Sequence, residues 1–76
     1  MIMREETVSA QIHVNGQPEP LAAATLDALL RLKGIAEGAR GVAVALNGEV
    51  VPVRRWAATT LRPGDDLEIV RPFSGG

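Results

Sequence analysis

Two Asn-Gly pairs, Asn15-Gly16 and Asn47-Gly48, constrain this chain's fold more than any other feature of its sequence. A two-residue type I′ turn needs positive φ at both central positions, which asparagine and glycine tolerate, so each pair predicts a β-hairpin. Ahead of the first pair, Val8, Ala10, Ile12 and Val14 alternate with Ser9, Gln11 and His13. That period of two is the mark of a strand with one face on a core. The chain should return antiparallel through Leu21, and Pro18 and Pro20, which cannot donate ladder hydrogen bonds, suit an edge strand. Ahead of the second pair, Val42-Ala43-Val44-Ala45-Leu46 is apolar at every position, the pattern of a strand buried on both faces. Val50-Val51-Pro52-Val53 predicts its partner, which Pro52 again marks as peripheral.

One short helix is predicted between the hairpins. Thr25 can cap it, Asp27 favours the positive end of its dipole, and Arg31 and Lys33 favour the negative end. Leu26, Leu29 and Leu30 share one face. Gly34 is placed to end the helix in the left-handed conformation, with Ile35 making the hydrophobic contact that follows. A flexible stretch with Gly38 and Gly41 leads on. Later, Arg62-Pro63-Gly64-Asp65 fits a type II turn before a last strand from about Asp66 to Arg71 that buries Leu67 and Ile69. At 76 residues, 46% of them hydrophobic, the chain can build one core. A domain of this size buries only about 60% of its unfolded surface. The expected core is Ile12, Leu29, Leu30, Val44, Leu46, Leu67 and Ile69. The order of elements predicts a two-layer α+β domain over residues 7–72. Residues 1–6 show no period and read as a disordered extension, and residues 73–76 read as a flexible tail.

The composition excludes much chemistry. With no cysteine, the chain has no disulfide, thiolate metal site, iron–sulfur cluster or thiol nucleophile. His13, the one histidine, reads as a strand residue, so neither a catalytic triad nor a metal site is predicted. Asp65-Asp66 reads as a solvated turn pair. Gly34, Gly38 and Gly41 lie between a helix and a strand, the reverse of a phosphate-binding loop. A net charge of -1 spread along the chain predicts no nucleic-acid partner. No apolar run is long enough to span a bilayer, and the start, Met1 to Glu6, turns acidic where a signal peptide is apolar. A soluble, cytoplasmic protein is expected. Lys33 is the only lysine, which makes the chain a poor substrate for lysine-linked polymers. Arg54-Arg55 beside Trp56 is open to two readings: a docking anchor for a partner, or a solvated basic pair next to a core-capping indole.

The sequence ends Pro72-Phe73-Ser74-Gly75-Gly76. Two terminal glycines can lie extended in a narrow channel of a partner, and the terminal carboxylate, ionised at neutral pH, projects past the body. A carboxylate can attack the α-phosphate of ATP to give an acyl-adenylate. A floppy end without chemistry is the other reading. Phe73, an aromatic beside the tail, can anchor to partners or pack back on the last strand.

Over residues 8 to 76 the chain resembles the thiamine-biosynthesis sulfur carriers, the ThiS family. The resemblance rests on Val14-Asn15-Gly16, Leu26 to Leu30, the segment Val44 to Pro52 around the second hairpin, and Trp56-Ala57. It continues through Leu61, Pro63-Gly64-Asp65-Asp66, Leu67-Glu68-Ile69-Val70 and Gly75-Gly76. It implies a ubiquitin-like β-grasp: a mixed sheet of four to five strands, first and last parallel at its centre, with one helix packed across it. It further implies a protein co-substrate, not an enzyme, with no bound cofactor. An adenylyltransferase related to ubiquitin-activating enzymes would use ATP and magnesium to adenylate Gly76, with Gly75 as the approach. Pro72, Phe73, Ser74 and Trp56 would contact partners. Persulfide sulfur would replace AMP, and the resulting thiocarboxylate would deliver sulfur to thiazole synthase. Two alternatives stand beside this: the small subunit of molybdopterin synthase, with the same tail chemistry, and a ubiquitin-like interaction module whose tail does not react.

Overall fold

A computed structural model of the chain describes residues 10–35 and 41–71. The predicted start of the first strand, the stretch around Gly38, the extension 1–6 and the tail lie outside the described residues. Strand β1 (Gln11–Val14) turns through Asn15 and Gly16, both at positive φ, into β2 (Gln17–Pro20). Ile12 and Val14 face the core while Gln11 and His13 are exposed, as the alternation predicts. Register pairs Val14 with Gln17 and Gln11 with Pro20, and β2 forms an edge of the sheet.

Helix α1 (Leu26–Leu32) begins where Thr25 Oγ1 accepts from the Ala28 N–H at 3.2 Å. Asp27 in its first turn bonds Arg31 one turn on, at 3.0 Å. The end of the helix is a Schellman motif. Gly34, at φ +82°, donates its N–H to the Arg31 carbonyl, and Ile35 donates to the Leu30 carbonyl. Only glycine takes that φ without a steric cost, which is why the helix stops there. Ile35 and Leu30 are both buried, completing the hydrophobic contact expected of the motif.

β3 (Ala43–Leu46) and β4 (Glu49–Val50) form the second hairpin, and β5 (Asp66–Val70) closes the sheet in the order β2-β1-β5-β3-β4. β5 runs parallel to β1 and antiparallel to β3, so the last strand is the central one. One helix crosses one face, and the fold is a ubiquitin-like β-grasp. Leu26, Leu29 and Leu30 of α1 meet Ile12, Val14, Val44, Leu67 and Ile69 of the sheet. Trp56, Leu61 and Ile35 fill the ends of this core. Truncating so buried a side chain as Leu30 to alanine is expected to cost about 2–5 kcal/mol through the cavity left behind.

Three expectations need correction. β3 is buried on one face only: Val44 is in the core, while Ala43 is exposed and Ala45 and Leu46 are half-buried. The helix covers a single side of the sheet, and alanine is small enough to sit on the other. Leu46 accordingly packs at the margin of the core. The partner strand does not run to Val53 but ends at Val50. Pro52, at φ −66°, starts a 3-10 helix (Val53–Ala58), so Val53 is helical and not extended. That helix turns the Trp56 indole inward, to 1% exposure, with its N–H donated to the Val51 carbonyl at 2.9 Å. An isolated bridge between Thr25 and Thr60 then ties the chain after the 3-10 helix to the start of α1.

Candidate functional site

The predicted tail follows β5 in the sequence, and β5 is held at both ends by asparagine side chains. β1 ends at Val14, short of the end of β5. The parallel ladder continues through the Asn15 N–H, which donates to the Leu67 carbonyl at 2.8 Å. The Asn15 side chain then takes the next rung. Its Oδ1 accepts from the Ile69 N–H at 2.8 Å, and its Nδ2 donates to the Ile69 carbonyl at 3.2 Å. A primary amide reproduces the donor and acceptor of a peptide group, so it extends the sheet where the backbone has already turned away.

At the opposite end of β5, Asn47 repeats the device. Its N–H donates to the Asp66 carbonyl at 2.7 Å, and its Oδ1 accepts from the Asp66 N–H at 2.9 Å. Asn47 Nδ2 also donates to Asp65 Oδ1 at 3.1 Å, while Asp65 Oδ2 accepts from the Arg62 N–H at 2.8 Å. Asp65 is thus engaged within the turn, in keeping with the solvated-turn reading of the acid pair. The turn itself closes by the Asp65 N–H donating to the Arg62 carbonyl.

Past β5, Arg71 Nη2 donates to the Lys33 carbonyl at the end of α1, 3.2 Å away. The chain is therefore fixed to the helix layer at the last described residue. Pro72, Phe73, Ser74, Gly75 and Gly76 lie outside the described residues. Trp56 lies within them and is a core side chain. It offers partners no surface of its own, and any influence on docking passes through the 3-10 helix it anchors. Arg54 and Arg55 on that helix are exposed. Next to them, a groove of about 190 Å³ is lined by Leu46, Val50, Val51, Pro52, Arg55 and Thr59, with Glu49.

The uncovered face of the sheet carries Val50, 76% exposed, and Val70, 62% exposed, on the same side as Ala43 and Ala45 by register. Among the described residues no three His, Cys, Asp or Glu side chains gather as a metal site would require, and no helix is long and apolar enough to cross a membrane. Sequence reasoning missed the side-chain roles of Asn15, Asn47 and Arg71. The one available signal was the choice of asparagine over glycine at the first position of both turns.

These features define a β-grasp domain whose central strand is followed in the sequence by residues 71–76, the last two of them glycines. The family model for the ThiS family matches residues 12–76. The chain is 37% identical over 65 residues to the sulfur carrier protein ThiS of Thermus thermophilus, covering 86% of this chain and 98% of that relative. The crystal structure of the thiamine biosynthesis protein ThiS from Geobacter metallireducens is 35% identical. It superposes with a TM-score of 0.69 over 87% of this chain and 99% of its own. A solution structure of a thiamine biosynthesis protein from the same organism gives 0.70 at 35% identity, covering 87% of each chain. The chain belongs to the ThiS family.

Proposed function

We propose that the chain is a sulfur carrier in thiamine biosynthesis, with the Gly76 carboxylate as its reacting group. The observation that carries this is the family match extending to residue 76, through both terminal glycines. The carboxylate oxygen attacks the α-phosphate of ATP in an adenylyltransferase related to ubiquitin-activating enzymes, which also supplies magnesium, and pyrophosphate leaves. Persulfide sulfur attacks the acyl carbon and AMP departs. A thiol then cleaves the acyl disulfide and leaves a thiocarboxylate. Sulfur is the better nucleophile, so the loaded tail delivers it to a substrate carbon inside thiazole synthase. We assign these steps to the cytoplasm, where ATP is available.

In this scheme the folded body supplies docking and no catalytic side chain. Gly75 provides the slim approach to Gly76, and Pro72, Phe73 and Ser74 contact partners. Val50, Val70, Arg54 and Arg55 are the exposed groups on the body best suited to partner contact, because apolar and arginine side chains anchor interfaces. The test is intact mass spectrometry of the chain incubated with the activating enzyme, magnesium, ATP and a sulfur source. A mass increase of one oxygen-to-sulfur exchange is expected. A C-terminal affinity tag turns the carboxylate into an amide and should abolish it, whereas the same tag at Met1 should not. Equal loading of the C-terminally tagged chain would overturn the proposal. Rescue of a thiamine-requiring carrier deletion, and not of a molybdopterin-deficient one, separates the two pathways that share this tail chemistry.

A further inference from the structure

The five-stranded sheet has two outer edges, β2 and β4, and an outer edge is where another chain can add a strand. Which backbone groups point outward follows from the rungs already made. The Leu21 N–H donates to the Ala10 carbonyl at 3.0 Å, and antiparallel rungs recur at every second residue, so Glu19 and Gln17 bond Ile12 and Val14. The other side of β1 agrees. The His13 N–H donates to the Asp65 carbonyl and the Gln11 carbonyl accepts from the Gly64 N–H, so residues 11 and 13 turn these groups away from β2. Their partners across the ladder, Pro20 and Pro18, therefore face outward. Within β2 the two outward nitrogens both belong to proline.

β4 has the same arrangement in shorter form. The Val51 N–H donates to the Val44 carbonyl at 2.8 Å, which leaves Val50 pointing outward. Pro52, two residues on and still extended at φ −66° and ψ 153°, takes the next outward place. Three of the chain's five prolines thus occupy three of these four outward positions, and Val50 holds the one N–H.

β2 is otherwise open to a partner. Gln17, Pro18 and Pro20 are exposed, so no other part of the described chain covers the strand. A strand laid along it could donate to the carbonyls of Pro18 and Pro20, but β2 would return no N–H. Each proline ring would also stand where an incoming carbonyl must approach.

We propose that Pro18 and Pro20 close the β2 edge to strand addition by a second copy of this chain. The barrier belongs to the folded body, whatever Gly76 does. The test compares three synthetic chains: the unaltered one, Pro18→Ala with Pro20→Ala, and a chain with N-methylalanine at both positions. The last two share a side chain and differ only at the two backbone nitrogens. Sedimentation equilibrium measures self-association, and amide exchange locates the contact. The unaltered and N-methylated chains are expected to stay monomeric to the same concentration. The alanine pair should associate at least roughly tenfold more tightly, the factor for one net recovered hydrogen bond. Residues 18 and 20 should then gain amide protection that rises with concentration. Pro18→Ala alone and Pro20→Ala alone each restore one donor and should fall between, which keeps the test open if the double variant does not fold. Equal association of the alanine and N-methylated chains would overturn the proposal. So would association that leaves residues 18 and 20 unprotected, or a dimer of the unaltered chain joined along β2.

Discussion

Asn15 and Asn47 adopt nearly the same backbone, φ +52° and +51°, each followed by a glycine at positive φ, and each clamps β5 with its side-chain amide. Their surroundings differ. Asn15 stands at the end of a central parallel strand, and both of its bonds to Ile69 are partly buried. Asn47 stands at the end of β3 near the edge, its bonds to Asp66 and Asp65 are exposed, and water can replace them. The turn is thus a local property of the dipeptide, whereas the stabilisation its side chain contributes depends on where the partner strand lies.

The strongest test of that difference is Asn15→Ala, which removes the amide and also forces a Cβ residue without a local hydrogen bond into positive φ. The two losses together are expected to cost about 2–5 kcal/mol in chemical denaturation, a large part of the 5–15 kcal/mol typical of a small domain. Asn15→Gly keeps the turn and removes only the clamp, so its expected cost falls to about 1–3 kcal/mol. Amide exchange at Ile69 should quicken in the same variant. If Asn15→Gly left the denaturation midpoint unchanged, the surrogate rung would contribute nothing.

Asn47→Gly is expected to cost less, about 0.5–1 kcal/mol, because exposed hydrogen bonds exchange readily with water. Equal losses at the two asparagines would erase the distinction drawn between them. The smallest effect is expected in the double variant, Asn15→Gly with Asn47→Gly. Its non-additivity should stay under about 0.5 kcal/mol if the two ends of β5 are independent. A larger value would show β5 shifting as one body when either clamp is released.

The same contrast explains how far the sequence could be read. Both hairpins, the capped helix and the type II turn follow from residues adjacent in the chain, and those elements are where they were expected. Ala43 and Ala45 misled because an apolar residue that small makes little demand for burial. A proline can end a strand or start a helix, and whether Pro52 does one or the other depends on Trp56 finding the core. Beside two arginines, an indole looks the same in sequence whether it points in or out. The Asn15 amide meets a partner 54 residues away, and no local pattern encodes that meeting. Of the candidate site, Gly75-Gly76 stands in the sequence itself, while the contacts of Arg71 with the end of α1 and of Asn15 with Ile69 were not legible.

The placement of β5 also dictates the order in which the molecule can assemble. The two hairpins join residues close in sequence, and such units form in about 1–10 μs. Neither has a partner for its inner edge until β5 enters, pairing residue 66 with residue 13 and residue 70 with residue 43. Closing the long loop to β1 costs entropy before any contact rewards it, so the folding rate is governed by the arrival of the last strand. Until then the chain exposes two unpaired strand edges, β1 and β3. Placing the last strand at the centre of the sheet thus makes the protection of both hairpin edges a long-range event and not a local one.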